Sequence, residues 1–222
     1  MIVDERMTSY LHSLEGAESD VITAIREQAL EMKVPIIRPE TAALLRVLIR
    51  MKQPGKVLEI GTGTAYSAVL IAECLQPGAE ITTIENYEVR IPAARENIRR
   101  AKMEDVITLI EGDAQEVLET LPEGYDFVFM DAAKAQYIHY LPQVMRVLVP
   151  GGVLVSDNVL QDGDVVQSRF AVTRRNRTIH SRMREYLWEL KHNPLLETSV
   201  LTVGDGMTLS VKLARQQEGE ES

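Results

Sequence analysis

Three oxygen-bearing side chains follow two predicted strands of this chain, at the points where the strands end. Asp131 comes directly after the strand predicted at 125–130. Asp157 and Asn158 follow the strand predicted at 153–156. If the two strands are neighbours in a parallel sheet, they lie about 5 Å apart and the side chains converge. Three oxygen donors without imidazole or thiolate favour a hard divalent cation, most readily Mg²⁺. The alternative is that the acids cap adjacent loops without a metal.

A lysine lies three residues beyond the first of these acids. A divalent cation beside Lys134 would disfavour its ammonium form, which would let the amine accept a hydroxyl proton. The other interpretation is a solvated lysine at the start of a helix. Lys134 is therefore a candidate general base, with Asp131 in the same catalytic set.

A glycine-rich break follows an earlier apolar strand. The run 57–60 leads to Gly61 and Gly63, after which helix-forming residues resume. Glycine lets a ligand approach the main chain, and the N-terminus of the next helix directs free N–H groups to the same place. Tyr66 stands where the third glycine of a dinucleotide-binding motif would be. We expect a small polar ligand here, and Glu59 suits a cationic one. An ordinary strand-to-helix turn is the alternative.

Two more acids stand at strand ends, where the ligand of an open parallel sheet lies. Glu85 follows the strand predicted at 80–84 and can accept both hydroxyls of a ribose. Asp113, with the backbone of Ala114, suits the edge of an adenine, or it caps the following helix. Acids at buried strand ends are costly without partners, so their recurrence favours a function.

Strands and helices alternate along most of the chain, which predicts an α/β fold with a mostly parallel sheet and helices on both faces. The predicted strands cover residues 57–60, 80–84, 106–110, 125–130, 153–156, 197–203 and 207–213. The predicted helices cover about residues 1–32, 39–51, 66–75, 87–101, 114–120, 135–148 and 178–192. The last two strands form an antiparallel hairpin, joined by the tight turn 204–206.

The length of 222 residues and a composition of 45% hydrophobic and 26% charged residues fit one globular domain over 1–222. We divide it into an N-terminal helical cover (1–52), a ligand- and metal-binding core (53–160), a basic segment with its helix (161–192), a closing hairpin (193–215) and an acidic tail (216–222). The absence of a long apolar run or a signal-peptide pattern leads us to expect a cytoplasmic protein. The single Cys74 supports no disulfide framework.

The charge is unevenly distributed. The net charge of −9 argues against general nucleic-acid affinity. Between residues 165 and 184, however, the chain carries His180 and no acid, together with six arginines: Arg169, Arg174, Arg175, Arg177, Arg182 and Arg184. This run indicates a local basic surface, or else a solvated helix face.

Taken together, the motifs resemble the cation-dependent O-methyltransferases, which use S-adenosylmethionine (AdoMet) and include the catechol and caffeoyl-CoA enzymes. The matching segments are 59–63 with Tyr66-Ser67, 131–134 with Tyr137, 157–160, and 203–206. The resemblance implies a Rossmann-like methyltransferase fold and Mg²⁺ held by Asp131, Asp157 and Asn158. It places Lys134 at the family's catalytic lysine. It also implies an AdoMet site lined by Ile37, Ser67, Glu85, Asp113, Ala114 and Asp131.

The resemblance also bears on the acceptor. Ala133 and Gln161 stand where plant caffeoyl-CoA enzymes tend to have an acid and a tryptophan, which disfavours a phenylpropanoid thioester. The chain is more similar to the bacterial branch that methylates 5-hydroxyuridine at the tRNA wobble position, where an arginine-rich stretch follows the Asp-Asn motif. We therefore predict tRNA as the partner, contacted by Arg174, Arg175 and Arg177.

Two other functions remain open from the sequence. One is a small-molecule catechol methyltransferase, since the 4-oxo and 5-hydroxyl groups of the base are vicinal oxygens like those of a catechol. The other is a catalytically silent AdoMet-fold binding protein, which the intact acids disfavour. We further expect a homodimer formed through the N-terminal helices.

Overall fold

The structure, a computed structural model, describes residues 4–214, so the predicted tail 216–222 lies outside the described residues. The strands are β1 (Lys56–Ile60), β2 (Glu80–Glu85), β3 (Ile107–Glu111), β4 (Tyr125–Met130), β5 (Leu148–Ser156), β6 (Leu196–Leu201) and β7 (Met207–Lys212). The α-helices are α1 (Glu5–Ser13), α2 (Asp20–Glu31), α3 (Pro39–Lys52), α4 (Tyr66–Ala72), α5 (Ile91–Arg100), α6 (Ala114–Thr120), α7 (Tyr137–Val147) and α8 (Arg177–His192). Short 3₁₀ helices cover Lys134–Gln136, Gln161–Val166 and Arg174–Asn176.

The strands form one sheet in the order β3-β2-β1-β4-β5-β7-β6. β1 to β5 are parallel, and β7 pairs antiparallel with both β5 and β6. The strand order reverses between β1 and β4, and a ligand of such a sheet lies at the carboxyl ends beside this switch point. The predicted Rossmann-like, mostly parallel seven-stranded sheet with a closing hairpin is confirmed.

The sheet is covered on both faces because its central strands are apolar throughout. Val57 and Phe129 are fully buried against α2 to α5, whereas Leu58 and Ile60 are fully buried against α6 to α8. Such double coverage gives continuous apolar runs rather than alternation. Within residues 4–214, no helix is both long and apolar enough to cross a membrane.

The N-terminal helical region consists of two helices rather than one continuous stretch over 1–32. The side chain of Asp4 accepts a hydrogen bond from the backbone N–H of Arg6, at the start of α1. The hydroxyl of Ser19 accepts one from Ile22 N and so begins α2 anew. The break therefore lies between the end of α1 at Ser13 and the Ser19 cap of α2, and apolar spacing alone did not indicate it.

The strand β5 is longer than predicted, and the helix before it ends earlier. We predicted a helix to residue 148 and a break at 150–152, but β5 already begins at Leu148. Leu148 pairs with Tyr125, and the next pair in register is Val153 with Phe127, so residues 149–152 bulge from the ladder. A proline and two glycines are tolerated in a strand at such a bulge.

Candidate active site

The side chains of Asp131, Asp157 and Asn158 meet at the carboxyl ends of β4 and β5. The register pairs Met130 with Ser156, so Asp131 and Asp157 leave adjacent strands at the same level. The Asn158 amide nitrogen Nδ2 donates to Asp131 Oδ1 over 3.1 Å. The Asn158 backbone N–H donates to Asp157 Oδ1 over 2.7 Å. The predicted convergence of the three side chains is therefore present in the structure.

The two carboxylates repel each other in a buried setting. Asp157 is only 3% exposed, and burial followed by the charge of Asp131 raises its pKa to about 8. Burial also raises the pKa of Asp131, against the opposing effects of Lys134 and Asn158. A pair of buried acids of this kind is stabilised by a bound cation.

The donor set fits a hard divalent cation. Two carboxylates and one amide oxygen suit Mg²⁺, which keeps water on its remaining positions. In the structure the amide of Asn158 presents its nitrogen to Asp131. A half-turn of that amide group would present its oxygen instead. The metal itself stays a prediction.

Tyr137 links the carboxyl ends of β4 and β5, which Asp131 and Asp157 follow. Its side chain is fully buried, and its hydroxyl lies 3.2 Å from the carbonyl oxygens of both Met130 and Asp157. The same oxygen accepts a hydrogen bond of 3.2 Å from Ala132 N. The ring packs edge-on against Tyr186 with centroids 5.5 Å apart. This contact makes the spacing of Asp131 and Asp157 depend on a rigid buried side chain.

The glycine loop after β1 lies directly against the end of β4. Gly61 has a φ of +100°, and a Cβ atom there would lie 2.1 Å from the carbonyl oxygen of Asp131. Gly63 has a φ of +57°, and its backbone N–H donates to Glu85 Oε2 over 2.8 Å. Only glycine fits at position 61, because both the backbone angle and the contact exclude a side chain.

A cavity of about 710 Å³ extends from this loop to the acids. Its lining includes these residues predicted for AdoMet or metal: Ile37, Gly61, Ser67, Glu85, Ala114, Asp131, Asp157 and Asn158. The carboxylate of Glu85 is held by backbone N–H groups of Gly63, Asn86 and Tyr87, which fixes its orientation at the cavity. Such a fixed acceptor suits a ribose diol.

Asp113 and Glu59 do not line this cavity in the structure. Asp113 Oδ1 accepts from Gln115 N over 2.9 Å, so its side chain caps α6, the alternative considered from the sequence. Glu59 is fully buried behind the cavity wall, where its Oε2 accepts a hydrogen bond from the hydroxyl of Thr83. Burial is the main reason that the pKa of Glu59 is raised to about 8. Glu59 therefore contacts the neighbouring strand β2 rather than facing a ligand.

Lys134 lines the same cavity at the start of the 3₁₀ helix after β4. Its positive charge lowers the pKa of both Asp131 and Asp157. The same charge acts on Asp205, so the amine lies among three acids. Lys134 is thus positioned beside the predicted metal ligands, as its candidate role requires.

Arg38 and Asp205 are among the cavity residues that sequence reasoning did not assign to the site. They form an ion pair, and Arg38 also reaches Asp162 over 3.2 Å. The backbone around Asp205 is tied to the loop after Asn158, since Leu160 N donates to Asp205 O over 3.0 Å. We had interpreted residues 204–206 as a hairpin turn and as part of the family resemblance without assigning Asp205 to the site, and the acid between two glycines was the available signal.

The comparisons with known proteins agree with this geometry. A family model described as O-methyltransferase matches residues 11–213. The chain belongs to the O-methyltransferase family. It is 30% identical over 233 residues to a caffeoyl-CoA O-methyltransferase of Populus kitakamiensis, covering 96% of each protein. It is 30% identical over 168 residues to a catechol O-methyltransferase of Niastella koreensis, covering 73% of this chain and 76% of that one.

A solved structure also resembles this O-methyltransferase. The O-methyltransferase TomG from Streptomyces achromogenes, in complex with SAM, superposes with a TM-score of 0.82. It is 25% identical, and the match covers 94% of this chain and 96% of TomG. The predicted family is confirmed at the level of catechol and caffeoyl-CoA O-methyltransferase relatives. The tRNA acceptor and the metal stay predictions.

In this O-methyltransferase, the basic segment lies beside the active-site cavity. Arg182 donates to the carbonyl of Ala135, next to Lys134, over 3.1 Å, and Arg184 donates to that of Val165 over 3.0 Å. Arg174 and Arg175 are exposed in a 3₁₀ helix. Part of the arginine run therefore fastens loops around the cavity rim, and part of it faces solvent.

Replacing Glu59 with Gln is expected to stabilise the protein increasingly between about pH 5 and pH 8. The folded state retains the Glu59 proton to about pH 8, whereas the unfolded chain loses it near pH 4.5, so the wild-type protein loses stability over this range. The neutral Gln side chain removes that loss, so the free energy of unfolding of the variant should exceed that of the wild-type protein by roughly 2 to 4 kcal/mol at pH 8. Urea denaturation at pH 5 and pH 8 measures it, and parallel pH profiles for both proteins would contradict it.

Proposed function

We propose that this protein is an Mg²⁺- and AdoMet-dependent O-methyltransferase that converts 5-hydroxyuridine at the tRNA wobble position into 5-methoxyuridine. The observation that carries the proposal is the convergence of Asp131, Asp157 and Asn158 at one end of the cavity below the glycine loop. Methyl transfer to one of two vicinal oxygens needs a donor site and an acceptor clamp side by side. We assign the donor site to the glycine loop and the acceptor clamp to Asp131, Asp157 and Asn158, which line the same cavity.

The methyl donor is proposed to occupy the part of the cavity nearest the glycine loop. The fixed carboxylate of Glu85 accepts the ribose hydroxyls, and Ala114 borders the adenine. Ser67 and Ile37 line the remainder of this part. The SAM bound to TomG supports this choice of donor.

Asp131, Asp157 and Asn158 would hold the metal. When bound, Mg²⁺ supplies charge that orients two adjacent acceptor oxygens and makes the hydroxyl to be methylated more acidic. Lys134 lies beside these ligands, where a bound cation would disfavour its ammonium form, and we infer that the neutral amine then takes the proton of that hydroxyl. The acceptor oxygen then forms a bond to the methyl carbon as the bond to the donor sulfur breaks. Positioning supplies a large part of the rate in such a reaction.

The acceptor is proposed to be an RNA base because of the surface beside the cavity. The basic segment carries six arginines without an acid between residues 165 and 184. The same segment exposes Phe170 to 84% of its surface. Phosphates attract a surface of this charge, and unpaired bases stack on exposed aromatic rings. Arginine and aromatic side chains together favour single-stranded RNA over a small neutral acceptor.

Replacing Arg174, Arg175 and Arg177 together by Glu tests the tRNA part of the proposal. We expect tRNA methylation to fall by about two orders of magnitude, since three attractive charges become repulsive. Transfer to a small catechol should persist in the same variant, and calorimetric AdoMet binding should be unchanged. Equal tRNA activity in the variant and the wild-type protein would remove tRNA from the proposal.

In cells lacking the gene, mass spectrometry of tRNA nucleosides should show accumulated 5-hydroxyuridine.

A small-molecule catechol acceptor is the second candidate. The observation that favours it is the 30% identity to the catechol O-methyltransferase of Niastella koreensis. The same metal and lysine geometry would serve a catechol. The arginine variant separates the two candidates, because a catechol enzyme would retain full activity with its own substrate and would show none with tRNA.

We also propose a homodimer formed through α1. This helix buries no residue within the described part of the chain. Its apolar side chains Met7, Tyr10, Leu11 and Leu14 are all more than 40% exposed. An apolar surface of this kind is typical of a protein interface. Light scattering would detect twice the chain mass of 24.9 kDa, and the monomer mass would exclude the dimer.

A further inference from the structure

A second depression, of about 380 Å³, lies within the basic segment and apart from the active-site cavity. It is formed by the chain just after the 3₁₀ helix Gln161–Val166 and by the first two turns of α8. Its lining residues are Gln167, Ser168, Arg169, His180, Ser181 and Arg184. None of these carries a negative charge, and three of them are basic side chains or imidazole.

The chemistry of this lining suits a tetrahedral oxyanion. Arg169 and Arg184 provide guanidinium donors, and Ser168 and Ser181 provide hydroxyl donors. Arg184 uses Nη1 to bind the carbonyl of Val165, which anchors its guanidinium beside the depression. Charge-assisted hydrogen bonds from arginine are among the strongest that a phosphate accepts.

His180 supplies an independent observation. It is only 2% exposed, and its Nε2 lies 3.1 Å from the carbonyl oxygen of Gln167. Its other ring nitrogen, Nδ1, is buried and has no hydrogen-bond partner among residues 4–214. A buried polar atom without a partner costs free energy unless a ligand or water satisfies it. His180 also lines the basic depression, so a ligand held there would lie against the imidazole ring that carries this unsatisfied nitrogen.

We propose that this depression binds one phosphate group, held by Arg169, Arg184 and the ring of His180. Identifying it as a backbone phosphate of RNA rests on the proposed function. The predicted tRNA contacts Arg174, Arg175 and Arg177 lie outside the depression, so they would add general attraction, whereas Arg169 would add a defined contact. A fixed phosphate would set the register of an RNA loop relative to the cavity.

The first arm of the test uses inorganic phosphate as the probe and needs no RNA. The full chain is labelled with ¹⁵N in its four histidines, and the ring resonances are followed during titration with phosphate at constant ionic strength. We expect a saturable shift of the His180 resonances alone. Arg169→Gln should weaken the response about tenfold, as the loss of one charge-assisted hydrogen bond does.

Arg174→Gln is the matched control. Arg169 and Arg174 are both exposed, and neither makes a hydrogen bond or ion pair in the described part of the chain. Each substitution therefore removes one positive charge with a similar effect on stability. Arg174→Gln should leave the His180 response within about twofold of the wild-type protein, since Arg174 does not line the depression and its charge is screened by salt. A response that is equal in both variants, or that is absent in the wild-type protein, overturns the phosphate site.

The second arm measures tRNA methylation against salt concentration. Arg169→Gln should reduce the slope of log(kcat/KM) on log[salt] by about one, the value expected when one phosphate contact is lost. If tRNA is methylated but the His180 response fails, the phosphate site is wrong and the proposed function stands. If the His180 response holds but tRNA is not methylated, the phosphate site stands and the tRNA acceptor is wrong.

Discussion

Replacing Asp157 with Asn is expected to reduce methyl transfer by roughly two orders of magnitude or more while stabilising the metal-free protein. Loss of activity follows because one of the two carboxylates that would hold the metal is gone. The gain in stability follows because the substitution removes one of two buried, mutually repelling acids. The amide oxygen of the new side chain can still accept the hydrogen bond that Asn158 N donates to Asp157.

The gain in stability should depend on pH in a defined direction. The pKa of Asp157 is about 8 in the folded protein against 3.8 in the unfolded chain. The folded state therefore holds this proton throughout the interval between the two values, and the wild-type protein loses stability as pH rises through it. Asp157→Asn removes that loss, so its free energy of unfolding should exceed that of the wild-type protein by roughly 2 to 4 kcal/mol at pH 8. The free energy of unfolding should also depend less on pH in the variant. Glu59 contributes a similar slope, so part of the pH dependence remains in the variant.

Thermal unfolding at pH 5 and pH 8, with and without Mg²⁺, measures these effects. Mg²⁺ should raise the unfolding temperature of the wild-type protein at pH 8 and leave Asp157→Asn unchanged, because a ligand stabilises only the state that binds it. Asp126→Asn is a suitable control, since Asp126 lies in the same strand as Met130 but binds the backbone of Gly55 and Lys56 instead. A fully active Asp157→Asn protein, or an unchanged effect of Mg²⁺, would falsify the metal site.

Replacing Gly61 with Ala is expected to destabilise the protein by about 3 to 5 kcal/mol and to abolish AdoMet binding. The added Cβ would lie 2.1 Å from the carbonyl oxygen of Asp131 and 2.9 Å from its carbonyl carbon, so the loop or β4 must move. These are backbone atoms, which cannot rotate away as a side chain can. Displacement of the loop would also separate Gly63 from Glu85, the residue proposed to bind the ribose.

The loss of stability in Gly61→Ala combines the strain of a left-handed backbone with the close contact to Asp131, and Gly78→Ala measures the backbone strain alone. Gly78 also has a left-handed backbone, with a φ of +87°, but no atom lies within 4 Å of the position of a Cβ there. Gly78→Ala should therefore cost only roughly 1 to 2 kcal/mol, the strain of the backbone angle alone. Urea denaturation and calorimetric AdoMet titration of both variants give the comparison. Equal losses of stability in the two variants would show that the contact with β4 is unimportant.

The sequence by itself determined the sheet and the position of the acids. Asp131, Asp157 and Asn158 could be placed together because parallel strands bring their carboxyl ends to one edge, and apolar runs of four to six residues mark where those strands end. Glu85 was placed at the cavity for the same reason. These inferences needed only local residue patterns and the general geometry of parallel sheets.

The tertiary structure decided what lies around those acids. Glu59 is two residues from Gly61, yet its side chain shares a sheet face with Val57, which packs against α2 to α5, and it is fully buried there instead of reaching the cavity. Asp205 and Arg38 reach the cavity only because the hairpin turn folds over α3 and the loop after Asn158. Local residue patterns do not specify contacts between residues so far apart in the chain.

In the basic segment, too, the charge follows from the sequence and the arrangement of the arginines follows from the tertiary structure. Its charge was evident from composition, and the family resemblance led us to predict Arg174, Arg175 and Arg177 as the tRNA contacts. The structure instead groups Arg169 with Arg184 and His180 in one depression, since the chain after Val165 folds back onto α8. Charge is a property of the sequence, whereas a concave site with aligned donors arises only when distant segments pack together.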